Sequence, residues 1–264
     1  MKFSYSILFF CVTAFCFPVK AQTVMIDGVP RDTSYTVYST FIKLKKQYPF
    51  IRPVETKISD DLACYENIPY KTISTERKLI LNIYRRKGNE LLPVVLMIHG
   101  GGWNSGSPAL QKAMAFNLAR KGFVAITVEY RLIPEAIFPA AVDDLEDAVK
   151  WIVENAGTYR INRDKIAVSG CSAGGQLAAL IGTKNKDKLI KAVINIDGIS
   201  TFIDKATIDR SEKARTSGDK MPVDALWLGG TFSESPDNWK AASALTWVNK
   251  NSAPVCFINS SIPR

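Results

Sequence analysis

Two glycine-rich turns, each placed directly after a strand-like run, constrain this chain more than any other feature. Leu92 to Ile98 is a continuous apolar run that ends in His99-Gly100-Gly101-Gly102. Lys165 to Ser169 reads as a second strand and ends in Gly170-Cys171-Ser172-Ala173-Gly174-Gly175, after which Ser172 to Thr183 reads as a helix. A run that is apolar on successive residues suits a strand covered on both faces, and such strands belong to parallel sheets with helices above and below. A strand that turns straight into a helix at G-x-S-x-G leaves no room for flanking side chains, which Gly170 and Gly174 lack.

The rest of the chain repeats the alternation. Phe123 to Val128 and Ile190 to Ile196 read as strands, and Pro108 to Lys121 and Ala140 to Asn155 as helices of crossover length, so the units are parallel βαβ. Cys64 to Tyr70 and Leu79 to Tyr84 are expected to open the sheet as an antiparallel hairpin. Periodicity fades from about 199 to 237, which suggests a cap-like insertion. A helix near Trp239 to Val248 and a last strand, Pro254 to Asn259, follow. The expected division is a leader over 1–21, an N-terminal helical extension over 22–60 carrying a helix at Ser34 to Tyr48, and one α/β domain over 61–264.

Both turns lie where chemistry can happen. Ser172 is expected to stand at the carboxyl edge of the sheet, at the positive end of the following helix, as a candidate nucleophile. Gly101 and Gly102 permit close backbone approach, and their N–H groups, with that of Ala173, are candidates to hold an oxyanion. Trp103 and Tyr130 lie near this mouth, either as stacking platforms for a sugar or aryl group or as packing residues.

Together with Tyr130-Arg131-Leu132-Ile133-Pro134-Glu135, Phe138-Pro139-Ala140-Ala141 and Asp143-Asp144, these motifs resemble the α/β-hydrolase fold over roughly Leu79 to Asn259. Within it the chain is similar to hormone-sensitive-lipase-like esterases and to exported bacterial carbohydrate esterases that deacylate acetylated or feruloylated xylan. The resemblance implies a mostly parallel sheet with helices on both faces and a serine carboxylesterase acting on a small ester or an acylated carbohydrate. It implies a loop-supporting role for His99, and a structural one for Tyr130-Arg131 and Asp143-Asp144. Neither cofactor nor metal is expected.

The chain departs from that family at one point. Its enzymes use an acid after the seventh strand and a histidine after the eighth, whereas His99 is the one histidine here. Asp197 and Asp143 are weak bases toward a serine hydroxyl. The expectation is a hydrolase lacking its last strand and helix, with an inactive remnant that at most binds ligand as the alternative.

Lys2, the apolar run Ile7 to Phe17 and Val19-Lys20-Ala21 read as a cleavable signal peptide, so a periplasmic or secreted location is expected. No later stretch is apolar enough to span a membrane. Cleavage removes Cys11 and Cys16 and leaves Cys64, Cys171 and Cys256, an odd count that describes no disulfide framework. Cys171 and Cys256 sit in apolar patterns and are expected to be buried. The net charge of +9 is dispersed and comes with no nucleic-acid motif, so a solvated surface is the expectation and nucleic acid is not an expected partner.

Overall fold

A computed structural model describes residues 23–26, 28–54 and 56–260; the expected signal peptide lies outside them. The N-terminal part is not simply helical, as the sequence suggested. β1 (Thr23–Ile26) and β2 (Val29–Asp32) form a two-stranded antiparallel ribbon before α1 (Val37–Gln47). Thr36 and Ser39 cap α1 reciprocally, each side chain bonding the other's backbone N–H.

The domain proper opens with β3 (Leu62–Thr72) and β4 (Lys78–Arg86), paired antiparallel as expected. β5 (Leu92–Ile98) leads through a 3₁₀ turn at Pro108–Gln111 into α2 (Lys112–Arg120), then β6 (Val124–Val128), α3 (Ala140–Glu154), β7 (Ile161–Cys171), α4 (Ala173–Lys184) and β8 (Ile190–Ile196). The region expected to be a cap holds α5 (Lys205–Ser217) and α6 (Val223–Leu228). Periodicity fades over α5 because only Ser211 and Ala214 of it are buried, so it needs no apolar stripe. The helix expected at Trp239–Val248 starts and stops earlier, as α7 (Pro236–Ala242) and a 3₁₀ turn at Ala244–Trp247. Pro236 suits the first helical turn, and Ser243 turns the backbone extended. β9 (Val255–Ile258) ends the described sheet.

The seven strands run in the order β3-β4-β6-β5-β7-β8-β9, antiparallel as far as β6 and parallel beyond it. Two apolar layers sandwich the sheet. Phe116 and Ala119 of α2 bury Tyr84, Val95 and Met97 on one face, while the opposite face buries Leu96, Ile126 and Val168 with α3 and α4. The chain leaves β5 toward β6 on one side and later returns past β5 to β7 on the other. The turns after β5 and β7 therefore stand at the point where the strand order reverses, the usual ligand position in such sheets.

β9 lies at the sheet edge, which corrects one expectation. Cys256 is exposed there, as are Phe257 and Ile258, and Cys171 is only half-buried.

Candidate active site

β5 and β7 pair with Ile98 opposite Gly170, so the two glycine-rich turns leave the sheet side by side. Their contact is close enough to explain the residue types. A methyl on Gly100 would lie 2.7 Å from the Cys171 carbonyl oxygen, and one on Gly174 would overlap the Ile98 carbonyl and lie 2.6 Å from that of His99. One on Gly170 would overlap the Gly174 carbonyl. Backbone cannot yield as a flexible side chain can, so these positions admit only glycine.

Ser172 occupies the bend itself, with φ 54° and ψ −120°, a region that side-chain-bearing residues rarely enter. Its N–H donates to the Ile196 carbonyl at 2.8 Å and its carbonyl accepts from Gln176 at 3.0 Å, so the turn is fixed from both sides. The Ser172 side chain makes no capping bond to α4. Ala173 is the first residue of that helix, where an N–H has no intrahelical acceptor. Gly101 and Gly102 have φ of 128° and 59°, and their N–H groups donate to no backbone carbonyl among the described residues. The Gly101 carbonyl is instead used, accepting from the Ser105 N–H and hydroxyl at 3.1 and 2.9 Å.

His99 does not face Ser172 as a base would. Its ring is 1% exposed, stacks on Tyr130 with centroids 4.5 Å apart, and places Nδ1 2.8 Å from the Gly100 carbonyl oxygen. A carbonyl only accepts, so Nδ1 carries the hydrogen, and Nε2 is left with no partner among the described residues. Burial lowers the His99 pKa to about 4, and Arg31 adds to the shift. The ring is thus a neutral brace of the turn, and the Tyr130 hydroxyl braces the same turn by donating to the His99 carbonyl at 2.8 Å.

Other expectations divide. Arg131 and Asp144 form a tie, with Arg131 Nη2 at 2.8 Å and its backbone N–H at 3.0 Å from the fully buried carboxylate. Lys71 joins at 2.8 Å. Asp143, expected to share this role, is exposed and takes no part. Asp197 is tied up, its carboxylate accepting the Ser260 N–H at 2.7 Å. Trp103 and Tyr130 are packing residues rather than open platforms, at 6% and 0% exposure. Trp103 stacks on Trp227 at 4.9 Å and donates Nε1 to Gln176 Oε1 at 3.0 Å.

Gln176, Asn195 and Trp227 escaped the sequence reading. Gln176 spans Trp103 and the Ala242 carbonyl, and Asn195 accepts from the Gly198 N–H at 2.7 Å while lying against Gly175. Their partners are far apart in sequence or lie in irregular turns, so no local pattern marked them. No group of three or more His, Cys, Asp or Glu among the described residues is placed to hold a metal ion.

Esterase LipC of Mycobacterium tuberculosis is 29% identical over 197 residues, covering 69% of this chain and 47% of that protein. The chain spans about half the length, or less, of the curated relatives it matches. An esterase from Pyrobaculum calidifontis superposes over 85% of this chain and 74% of its own, with TM-score 0.60 and 26% identity. A truncated carbohydrate esterase from gut microbiota shares the fold at TM-score 0.63 and 21% identity, over 78% of this chain and 81% of its own. These likenesses, the sheet order and the paired glycine-rich turns describe an α/β-hydrolase, and with residues 81–262 matching the BD-FAE family the chain belongs to that family.

Proposed function

We propose that this protein is a carboxylic ester hydrolase in which Ser172 is the nucleophile. The backbone N–H groups of Gly101, Gly102 and Ala173 take the oxyanion, and Gly170 and Gly174 set the bend that presents the hydroxyl. The reading is carried by one observation: Ser172 is held at φ 54° in a turn closed by backbone on every side, beside a loop with unused N–H donors. Strain of this kind is stored where a site needs a fixed geometry. Attack by Ser172 Oγ on the ester carbonyl carbon forms the C–O bond and moves the carbonyl electron pair onto oxygen, where each donor is worth roughly 3–4 kcal/mol. Collapse breaks the C–O bond to the alcohol, which leaves carrying the proton given up by Ser172, and water then attacks the acyl carbon, releases the acid and returns a proton to Ser172 Oγ. An acylated carbohydrate fits as substrate through the family resemblance, and an exported location rests on the signal-like segment 1–21.

No imidazole among the described residues is placed to take the proton from Ser172, since His99 is buried and bonded to Gly100. That observation favours a second reading, a hydrolase scaffold that binds ligand without turnover. The deciding assay is hydrolysis of p-nitrophenyl acetate by the purified chain, with and without added imidazole. The hydrolase reading expects a slow rate, stimulated by imidazole and abolished in Ser172→Ala. A rate indifferent to Ser172→Ala refutes it.

A further inference from the structure

The cap and the turn after β5 border an open cleft of about 580 Å³. Trp103, Ala214, Pro222 and Val223 form its apolar part. It is linked to the candidate site through Val223 and Trp103. A methyl on Gly102 would touch Val223 at 3.6 Å, and Trp103 is bonded through Gln176 to the turn that carries Ser172.

The charges around this cleft do not cancel. Of its two acids, Asp224 pairs with Arg210 and also accepts the Ala225 N–H, and Asp219 accepts the Ser217 hydroxyl at 2.6 Å. Lys213 and Lys220 also line the cleft and form no ion pair among the described residues. The lining therefore carries one positive charge in excess, three cations against two carboxylates, and Lys213 and Lys220 border the partly apolar recess without an ion-pair partner among the described residues. A cation beside low-dielectric walls attracts an anion more strongly than one in open solvent, and long lysine side chains can reach inward over apolar surface.

We propose, on the esterase reading above, that this cleft receives a carboxylate borne by the substrate, so that the protein's substrates are acidic esters rather than neutral ones. The carboxylate can sit on the alcohol side, as in an acylated uronic-acid saccharide, or on the acyl side, as in a half-ester of a dicarboxylic acid. Lys213 and Lys220 are then the residues that set specificity, and Arg210, held by Asp224, contributes to the field without a direct bond.

The test reads binding, which keeps it independent of turnover. The full chain carrying Ser172→Ala is titrated calorimetrically with xylotriose against xylotriose bearing a glucuronic acid branch, and with ethyl butyrate against monoethyl succinate. The acidic member of at least one pair is expected to bind roughly tenfold more tightly, the first pair reporting the alcohol side and the second the acyl side. The preference should vanish in Lys213→Gln/Lys220→Gln and shrink as salt rises from about 50 to about 300 mM. Both lysines are exposed, so the double variant is expected to melt like its parent. Equal binding within both pairs, no measurable binding of any probe, or a preference that survives the double substitution overturns the proposal. A lysine-dependent preference in a protein that shows no Ser172-dependent hydrolysis keeps the cleft and discards the esterase.

Discussion

Acidification tests the role of His99 directly. A buried imidazole with Nδ1–H on a carbonyl and Nε2 without a partner is stable only while neutral. Its pKa is lowered to about 4 by burial, with Arg31 adding to the effect, while the unfolded chain titrates near 6.5. Between those values the unfolded chain binds the proton and the folded chain does not. Stability is therefore fully present above about pH 6.5 and falls as pH drops toward 4. At pH 5 the linkage relation gives a loss of about 2 kcal/mol relative to pH 7.5. Carboxylates held below their ordinary range, such as Asp204 and Glu66, also lose stability as pH falls, so the difference between parent and His99→Gln isolates the imidazole. Urea unfolding followed by tryptophan fluorescence at pH 7.5 and 5.0 measures the loss, and His99→Gln should remove most of it. The sequence has one histidine, so a tag-free sample also shows a single ring C2–H proton resonance whose titration can be followed. A midpoint near 6.5 in the folded protein, or parallel losses in parent and His99→Gln, would refute the reasoning.

Three further outcomes follow from the same geometry. Ser172→Gly should raise stability by about 1 kcal/mol while abolishing ester turnover, because glycine adopts φ 54° without strain; a lowered melting temperature would contradict this. Gly174→Ala forces a methyl onto the Ile98 and His99 carbonyls and should cost about 2 kcal/mol or more, with loss of Ser172-dependent turnover, measured by thermal melting and rate. Asp144→Asn leaves Arg131 and Lys71 without their buried charge partner and should destabilise by about 3 kcal/mol, whereas the exposed neighbour Asp143→Asn should change urea stability by less than about 0.5 kcal/mol.

The order of strands and helices was legible along the chain because it rests on local causes. Leu92 to Ile98 is an apolar run and Gly170 and Gly174 flank a serine; each speaks through residues within one turn of itself. The hinge of the candidate site was legible for the same reason, since only glycine permits two backbones to meet as they do at Gly100 and Gly174. What the neighbours of those motifs do was settled across long separations. Trp103 at the mouth could be read as a platform or as packing, and only Trp227, 124 positions on, shows it to be the inner half of a stack. Asp143 and Asp144 are indistinguishable in a run of letters; the helix turns one toward Arg131 and the other toward water, because adjacent helical positions face different directions. Cys256 sits in an apolar pattern that implied burial, yet β9 has a strand on one side only among the described residues, and pairing is a property of the sheet rather than of the strand. The sequence by itself determined where the chain must bend and which atoms stand at the bend. Only the tertiary structure decided what covers them, because burial and charge balance depend on residues that meet in space after the sheet has formed.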